Sequence, residues 1–255
     1  MRLVVEMMAG GKVHLFHIPP AGAAFTVQSS TAAGAQGQAS QTVQVQVETQ
    51  LLRFQAKGTV VTSDGRQIDF QAELALSRQF SRIGTGGDTS DAPKDPLVLN
   101  FDGRGARLLA GQTVKFDLNG DGQAEALPLV APGTGILFDD KNGDGRANDG
   151  TELFGPLSGD GFGELSSKDT DHNGWIDQGD PVFGELRVWF PDSSGPGKVY
   201  SLADLGVGAI STANVETPFD LRTGTNALLG QIRSSGVYLQ QDGQAGVVSH
   251  VDLAV

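Results

Sequence analysis

Asp169-Thr170-Asp171-His172-Asn173-Gly174-Trp175-Ile176-Asp177-Gln178-Gly179-Asp180 is the stretch from which the rest of the chain is read. Asp169, Asp171, Asn173 and Asp177 put side-chain oxygens at positions 1, 3, 5 and 9 of a twelve-residue loop, and Asp180 fills position 12. Gly174 at position 6 permits a sharp turn, and Trp175 at position 7 offers its backbone carbonyl. This is the ligand order of an EF-hand calcium loop, in which alternate residues converge on one hard cation. Asp is one methylene shorter than the usual Glu at position 12, so Asp180 is expected to be a weaker or monodentate ligand. Ile176 at position 8 would turn inward.

Two further segments repeat the pattern. Asp140, Asn142, Asp144, Arg146 (through its carbonyl) and Asn148 form one set, with Gly145 at position 6. Thr151 stands at its position 12, and a slightly longer loop would bring in Glu152 instead. Asp117, Asn119, Asp121, Gln123 (through its carbonyl) and Glu125 form the other, with Gly122 at position 6. Lying between the strand-like runs 113–116 and 127–130, that segment resembles the shorter Asp-rich loops of integrin-type repeats, with Glu125 as last ligand. Asn-Gly and Asp-Gly are also ordinary turn dipeptides. Three such loops with position 9 filled each time favour metal over turns alone, and an all-oxygen donor set favours Ca2+ over a transition metal.

The flanks of the third loop suggest helices. Phe162 and Leu165 suggest a short entering helix; Asp180-Pro181 reads as an N-cap with Pro at the first helical position, followed by Val182, Phe183 and Leu186 on one apolar face. Ser201-Leu202-Ala203-Asp204-Leu205-Gly206 reads as a capping box closed by a Gly stop. Elsewhere the pattern is β. Val43, Val45 and Val47, then Phe54, Ala56 and Val60, alternate with polar residues; Ser63-Asp64-Gly65-Arg66 makes a turn; Ile68, Phe70, Ala72, Leu74 and Leu76 return. Strands are also expected at 97–101, 186–190, 228–232, 237–239 and 247–255. The expected fold class is therefore α+β, β-rich: antiparallel strands and hairpins with an inserted EF-hand-like helical calcium-binding unit. The expected division is a flexible segment at 1–41, a hairpin region at 42–81, a linker at 82–95, the calcium-binding module at 96–212 and a C-terminal β region at 213–255.

Composition narrows the function. The 255 residues hold no Cys, so no disulfide braces the chain, and metal can take that role. With 30 acidic against 18 basic residues the formal charge is −12, which argues against nucleic acid and anionic membranes as partners. The sequence contains no candidate membrane span, and the first eight residues, with Glu6 inside their apolar run, make a poor signal peptide. There is no phosphate-binding loop, HExxH or Gly-x-Ser-x-Gly elbow, and His14, His17, His172 and His250 are scattered, so no zinc site is expected.

Several ordered segments, Asp95-Pro96-Leu97-Val98-Leu99, Gly135-Ile136-Leu137-Phe138-Asp139, Asn148-Asp149-Gly150-Thr151-Glu152-Leu153-Phe154-Gly155, Leu186-Arg187-Val188-Trp189 and Leu202-Ala203-Asp204-Leu205-Gly206, resemble a recurring module of large RTX-type secreted bacterial proteins. Related modules process themselves: calcium-driven folding triggers cleavage of an Asp-Pro bond at the start of the module. The resemblance would assign that bond to Asp95-Pro96, with Asp95 as nucleophile, Pro96 as leaving group and an anhydride that a Lys amine can capture. The chain departs from the family at Asn100-Phe101-Asp102-Gly103-Arg104-Gly105 and at Asp192-Ser193-Ser194-Gly195-Pro196-Gly197, where Asp-rich loops are usual. It also lacks the glycine-rich nonapeptide array. Secretion by a signal-peptide-independent route is favoured over a cytoplasmic location, since weak sites would fill only in calcium-rich surroundings and Asp252-Leu253-Ala254-Val255 resembles the acid-plus-apolar tail of some type I secretion substrates. Three functions are carried forward: a calcium-stabilised structural or interaction module, a calcium-triggered self-cleaving one, and a calcium-dependent adhesion module that would take another protein as partner.

Overall fold

The computed structural model describes residues 5–18, 25–28, 44–83 and 95–254. Strands β1 (Val5–Ile18) and β2 (Phe25–Gln28) both pair antiparallel with β3 (Gln44–Thr62), and β4 (Gln67–Ile83) pairs along the other edge of β3. Of the expected first segment, residues 1–4, 19–24 and 29–41 lie outside the described residues, as does 84–94 of the expected linker. The β3–β4 turn falls on Ser63–Arg66, where Gly65 takes φ +78° and Thr62 N donates to Arg66 O at 2.9 Å. Period-two alternation buries Leu52, Phe54, Ala56 and Val60 from β3 and Phe70, Ala72 and Leu74 from β4 on one face.

A second, eight-stranded antiparallel sheet uses β5 (Leu97–Asn100), β8 (Thr134–Asp139), β9 (Trp175–Asp177), β10 (Leu186–Asp192), β11 (Gly195–Ser201), β12 (Val207–Arg222), β13 (Leu228–Gln240) and β14 (Ala245–Leu253). Their order is β11-β10-β8-β5-β14-β13-β12-β9, so strands from both 96–212 and 213–255 build one sheet. β6 (Leu108–Phe116) and β7 (Glu125–Val130) form a separate pair. The sheet is covered on both faces. Val98, Ile136, Trp175, Ile232 and Val251 join the inner face of the β3–β4 hairpin in one apolar cluster; Leu97, Leu99, Leu137, Ile176 and Val248 meet Phe162 and Leu165 in a second. Burial on both sides explains why β5 reads as an unbroken apolar run rather than an alternating one.

The expected α+β class with an inserted EF-hand-like helical unit is overturned: among the described residues the architecture is mainly antiparallel β. The one α-helix among the described residues, α1 (Gly161–Ser166), has six residues and enters the third loop after an Asp160 cap that accepts from Gly163 N. No helix leaves that loop. Pro181–Gly184 forms a single 3-10 turn, and Leu186 already belongs to β10. Asp180 does not cap this turn, because its carboxylate accepts instead from Thr170 N at 2.7 Å and Asp177 N at 3.1 Å. Buried Val182, Phe183 and Leu186 have a spacing that suits a turn leading into a strand as well as a helical face. Likewise Ser201 and Asp204 exchange box-like hydrogen bonds of 3.1 Å, but Gly206 at φ +71° ends the structure after one turn.

Candidate metal centre

The three Asp-rich segments fold alike. In each, the position-6 Gly N–H donates to the position-1 Asp: Gly122 to Asp117 at 2.7 Å, Gly145 to Asp140 at 3.2 Å, and Gly174 to Asp169 at 2.9 Å. The position-5 N–H donates to the position-3 oxygen: Asp121 to Asn119 at 2.9 Å, Asp144 to Asn142 at 2.8 Å, and Asn173 to Asp171 at 3.1 Å. The position-7 N–H donates to the position-5 oxygen: Gln123 to Asp121 at 2.8 Å, Arg146 to Asp144 at 2.9 Å, and Trp175 to Asn173 at 2.7 Å. Each loop is thus a chain of side-chain-to-backbone turns that coils the backbone and fixes the oxygen-bearing side chains.

The coil needs left-handed backbone at positions 4 and 6. Gly122, Gly145 and Gly174 meet the second requirement, and Gly120 and Gly143 the first, but the third loop has His172 there at φ +58°. His172 is exposed, so its side chain contributes little packing. His172→Gly is therefore expected to be tolerated within about 0.5 kcal/mol, strain relief offsetting the flexibility gained by the unfolded chain. His172→Val, β-branched in a region that L-residues avoid, is expected to cost about 1–2 kcal/mol. Urea unfolding of the two variants checks this pair of outcomes.

The third loop brings its acids closest together. One carboxylate oxygen from each of Asp169, Asp171 and Asp180 lies within 4.8 Å of the others. Oxygens bound to one calcium at 2.3–2.6 Å can stand at most about 5 Å apart, so this group fits a single ion. Asp169 and Asp180 are buried, as is Asp177. Burial, and then the neighbouring Asp171 and Asp180, push the Asp169 carboxyl above its ordinary range, while the Gly174 and Asn173 N–H groups pull the other way. Asp177 also accepts from Gly179 N at 2.6 Å. Trp175 and Ile176 leave the loop as β9, paired with Ser211 and Ile210, and the indole packs edge-on to Phe70 with ring centres 5.9 Å apart.

The second loop reaches Glu152 rather than Thr151. Glu152 is buried and accepts from Asn148 N at 2.9 Å; burial raises its pKa first, with Asp144, Asp140 and Asp149 adding to the effect. The first loop is closed by Glu125, whose carboxylate accepts from Leu118 N at 2.9 Å, the role that Asp180 plays toward Thr170. The first two loops touch: Gly150 N donates to Asp117 O at 2.7 Å, and a Cβ on Gly150 would lie 1.8 Å from Leu118 O. Lys168 and Asp139, 3.0 Å apart, join the third loop's entry to the edge of the second.

A second cluster surrounds the Asp95-Pro96 bond. Pro96 O accepts from Val251 N and Leu97 N donates to Phe154 O, both at 3.1 Å. The Asp95 carbonyl packs on Gly155 so closely that a Cβ there would lie 2.0 Å from the oxygen. His250 Nε2 is 3.5 Å from Asp95 Oδ2, and Asp252 is held by Arg233 at 3.1 Å. Burial pushes the Asp95 and Asp252 carboxyls up and the His250 imidazole down. Sequence reading singled out Asp95 and Pro96 but treated His250 as isolated. The β5–β14 register sets His250 opposite Leu97, and the β13–β14 pairing brings Arg233 to Asp252; neither can be read from spacing along the chain.

A family model described as SPM domain matches residues 97–254. The iron-regulated protein FrpA of Neisseria meningitidis serogroup C is 29% identical over 176 residues, which is 63% of this chain and 15% of that protein. The chain therefore spans only a small part of that relative.

Proposed function

We propose, on the premise that this chain belongs to the SPM domain family, that it is a calcium-binding module whose loops are organised by the ion. The observation that carries this reading is the shared hydrogen-bond scheme of the three loops, with the Asp169, Asp171 and Asp180 oxygens within 4.8 Å of one another. Asp169, Asp171, Asn173, Asp177 and Asp180, with the Trp175 carbonyl, would hold calcium in the third loop. The second would use Asp140, Asn142, Asp144, Asn148 and Glu152 with the Arg146 carbonyl, and the first Asp117, Asn119, Asp121 and Glu125 with the Gln123 carbonyl. Calcium would supply positive charge that relieves carboxylate repulsion and ties β9 to the loop before it. Calorimetric titration of chelator-stripped protein tests this: saturable calcium binding with much weaker magnesium binding supports it, and no heat beyond dilution at several millimolar calcium rejects it.

A second reading, calcium-triggered cleavage of Asp95-Pro96, is favoured by the burial of the Asp95 carboxyl against His250 at the edge of the family-matched region. On its Pro96 side the chain is held by main-chain hydrogen bonds from Val251 N to Pro96 O and from Leu97 N to Phe154 O. In this reading the Asp95 carboxylate attacks its own main-chain carbonyl carbon and the Pro96 nitrogen leaves. Denaturing gels after calcium addition, with the new N-terminus sequenced, test it; fragments ending at Asp95 and starting at Pro96 are expected. A calcium-dependent adhesive role has no comparable observation behind it. Among the described residues no helix is long and apolar enough to cross a membrane.

A further inference from the structure

We infer that His250 is the catalytic group that holds and delivers the proton in cleavage of the Asp95-Pro96 bond, with Asp252 and Arg233 setting its surroundings; this rests on the self-cleavage reading above. His250 is 6% exposed, and its Nε2 has no hydrogen-bond partner although it lies 3.5 Å from Asp95 Oδ2. A buried imidazole nitrogen left unmet is costly unless it has other work. The same imidazole lies against the Asp95 main-chain carbonyl, which favours its protonated form. It therefore meets both reacting groups of one residue, the attacking carboxyl and the carbonyl under attack. The charged groups around it are Asp95, Asp252, Asp160 and Arg233.

Its place follows from the fold. His250 and Asp252 share one face of β14 by the two-residue period, and pairing of His250 with Leu97 sets the imidazole beside the preceding Asp95-Pro96 unit. Gly155, at φ +111°, brings the 155–159 turn against the Asp95 carbonyl and closes the other side.

The reaction balances with one shared proton. An Asp95 Oδ forms a bond to the Asp95 main-chain carbon and closes a five-membered ring. Negative charge develops on the carbonyl oxygen facing His250, where a fixed donor is most effective. The C–N bond to Pro96 then breaks, and the proton held by the Asp95–His250 pair passes to the Pro96 nitrogen, which has none of its own. Water opens the cyclic anhydride and restores the Asp95 side-chain carboxyl beside a new C-terminal carboxyl. Two protons on the pair silence the nucleophile, and none leaves the departing nitrogen without an acid. The rate should therefore be bell-shaped in pH, with apparent pKa values that belong to the pair.

The test uses the full chain at saturating calcium, with cleavage followed on denaturing gels across pH 5–9. Wild type should be cut along a bell-shaped profile. His250→Gln, which keeps a donor but cannot give up a proton, should be slower by about 10²–10⁴-fold and lose the descending limb, since Asp95 alone still titrates as the nucleophile. His250→Asn is a second variant, and unchanged tryptophan emission and thermal midpoint show that both fold. Asp95→Ala should be uncut. Wild type left uncut, or Asp95→Ala cut at the same bond, overturns the self-cleavage reading and His250's role with it. Wild type cut while both His250 variants keep its rate and profile overturns His250's role alone, as does a wild-type profile with one limb.

Discussion

Asp169→Asn lowers the third loop's calcium affinity by about a hundredfold, while the metal-free protein keeps its fold. A hundredfold corresponds to about 2.7 kcal/mol, within the range for one strong charge-assisted contact in a buried setting. The amide introduced by this substitution has a single oxygen, which can keep the Gly174 N–H that Asp169 Oδ2 now accepts at 2.9 Å; Asn173 N loses the 3.2 Å bond to Oδ1 but keeps Asp171 at 3.1 Å, so the coil persists. What is lost is the formal charge that the ion neutralises. Asp169→Ala removes both oxygens and should also destabilise the metal-free protein, by about 1–3 kcal/mol, since the Gly174 N–H loses its acceptor and Asn173 N keeps only Asp171. Calorimetry on the two variants separates charge from scaffolding. If Asp169→Asn binds calcium with wild-type affinity and stoichiometry, the third loop is not a calcium site.

Trp175→Ala should cost about 3–5 kcal/mol, a large share of the roughly 5–15 kcal/mol by which such domains are stable. Trp175 is fully buried and heads the largest side chains that are so. Its ring packs edge-on to Phe70 of β4, and its backbone pairs with Ser211 of β12. One residue thus anchors the third loop, the eight-stranded sheet and the β3–β4 hairpin. Truncation leaves a cavity that three elements border and none can fill alone. Trp175→Phe, which retains an aromatic ring, should recover part of the loss. Urea unfolding followed by far-UV circular dichroism measures both variants; a loss below about 1 kcal/mol for Trp175→Ala would mean the hairpin and loop do not share this core.

The loops were legible in sequence because their information is local. Oxygen-bearing residues at fixed offsets, with Gly122, Gly145 and Gly174 at position 6, determine a coil whatever surrounds it. The need for left-handed backbone at position 4 is equally local, and Gly120 and Gly143 mark it; His172 concealed it in the third loop. The β3–β4 hairpin was legible through its alternation and its Asp-Gly turn. The short entering helix at Phe162 and Leu165 is present, but the helix expected after Asp180 is a turn, because apolar residues three or four apart suit a turn before a strand as well as a helix, and Asp180 could not serve the loop and a helix cap together. β13 was read as two strands because Ser234-Ser235-Gly236 interrupts its apolar run. In the fold Ser235 is buried between Thr217 at 2.8 Å and Ser249 at 3.3 Å, a hydroxyl chain across three strands. The His250–Asp95 encounter was hidden for a different reason: it depends on strand register between the two ends of the module, and no spacing along the chain records that.

The central claim, that calcium organises these loops, is tested most directly by thermal unfolding of chelator-stripped protein with and without calcium, read by tryptophan emission. A ligand that binds only the folded state at a hundred times its Kd adds about 2.7 kcal/mol, so the midpoint should rise by several degrees. The rise should reverse with chelator and be far smaller with magnesium. An identical midpoint at several millimolar calcium, about the level at which the weakest sites of this type fill, would contradict the account and leave the Asp-rich loops as turns held by their own hydrogen bonds.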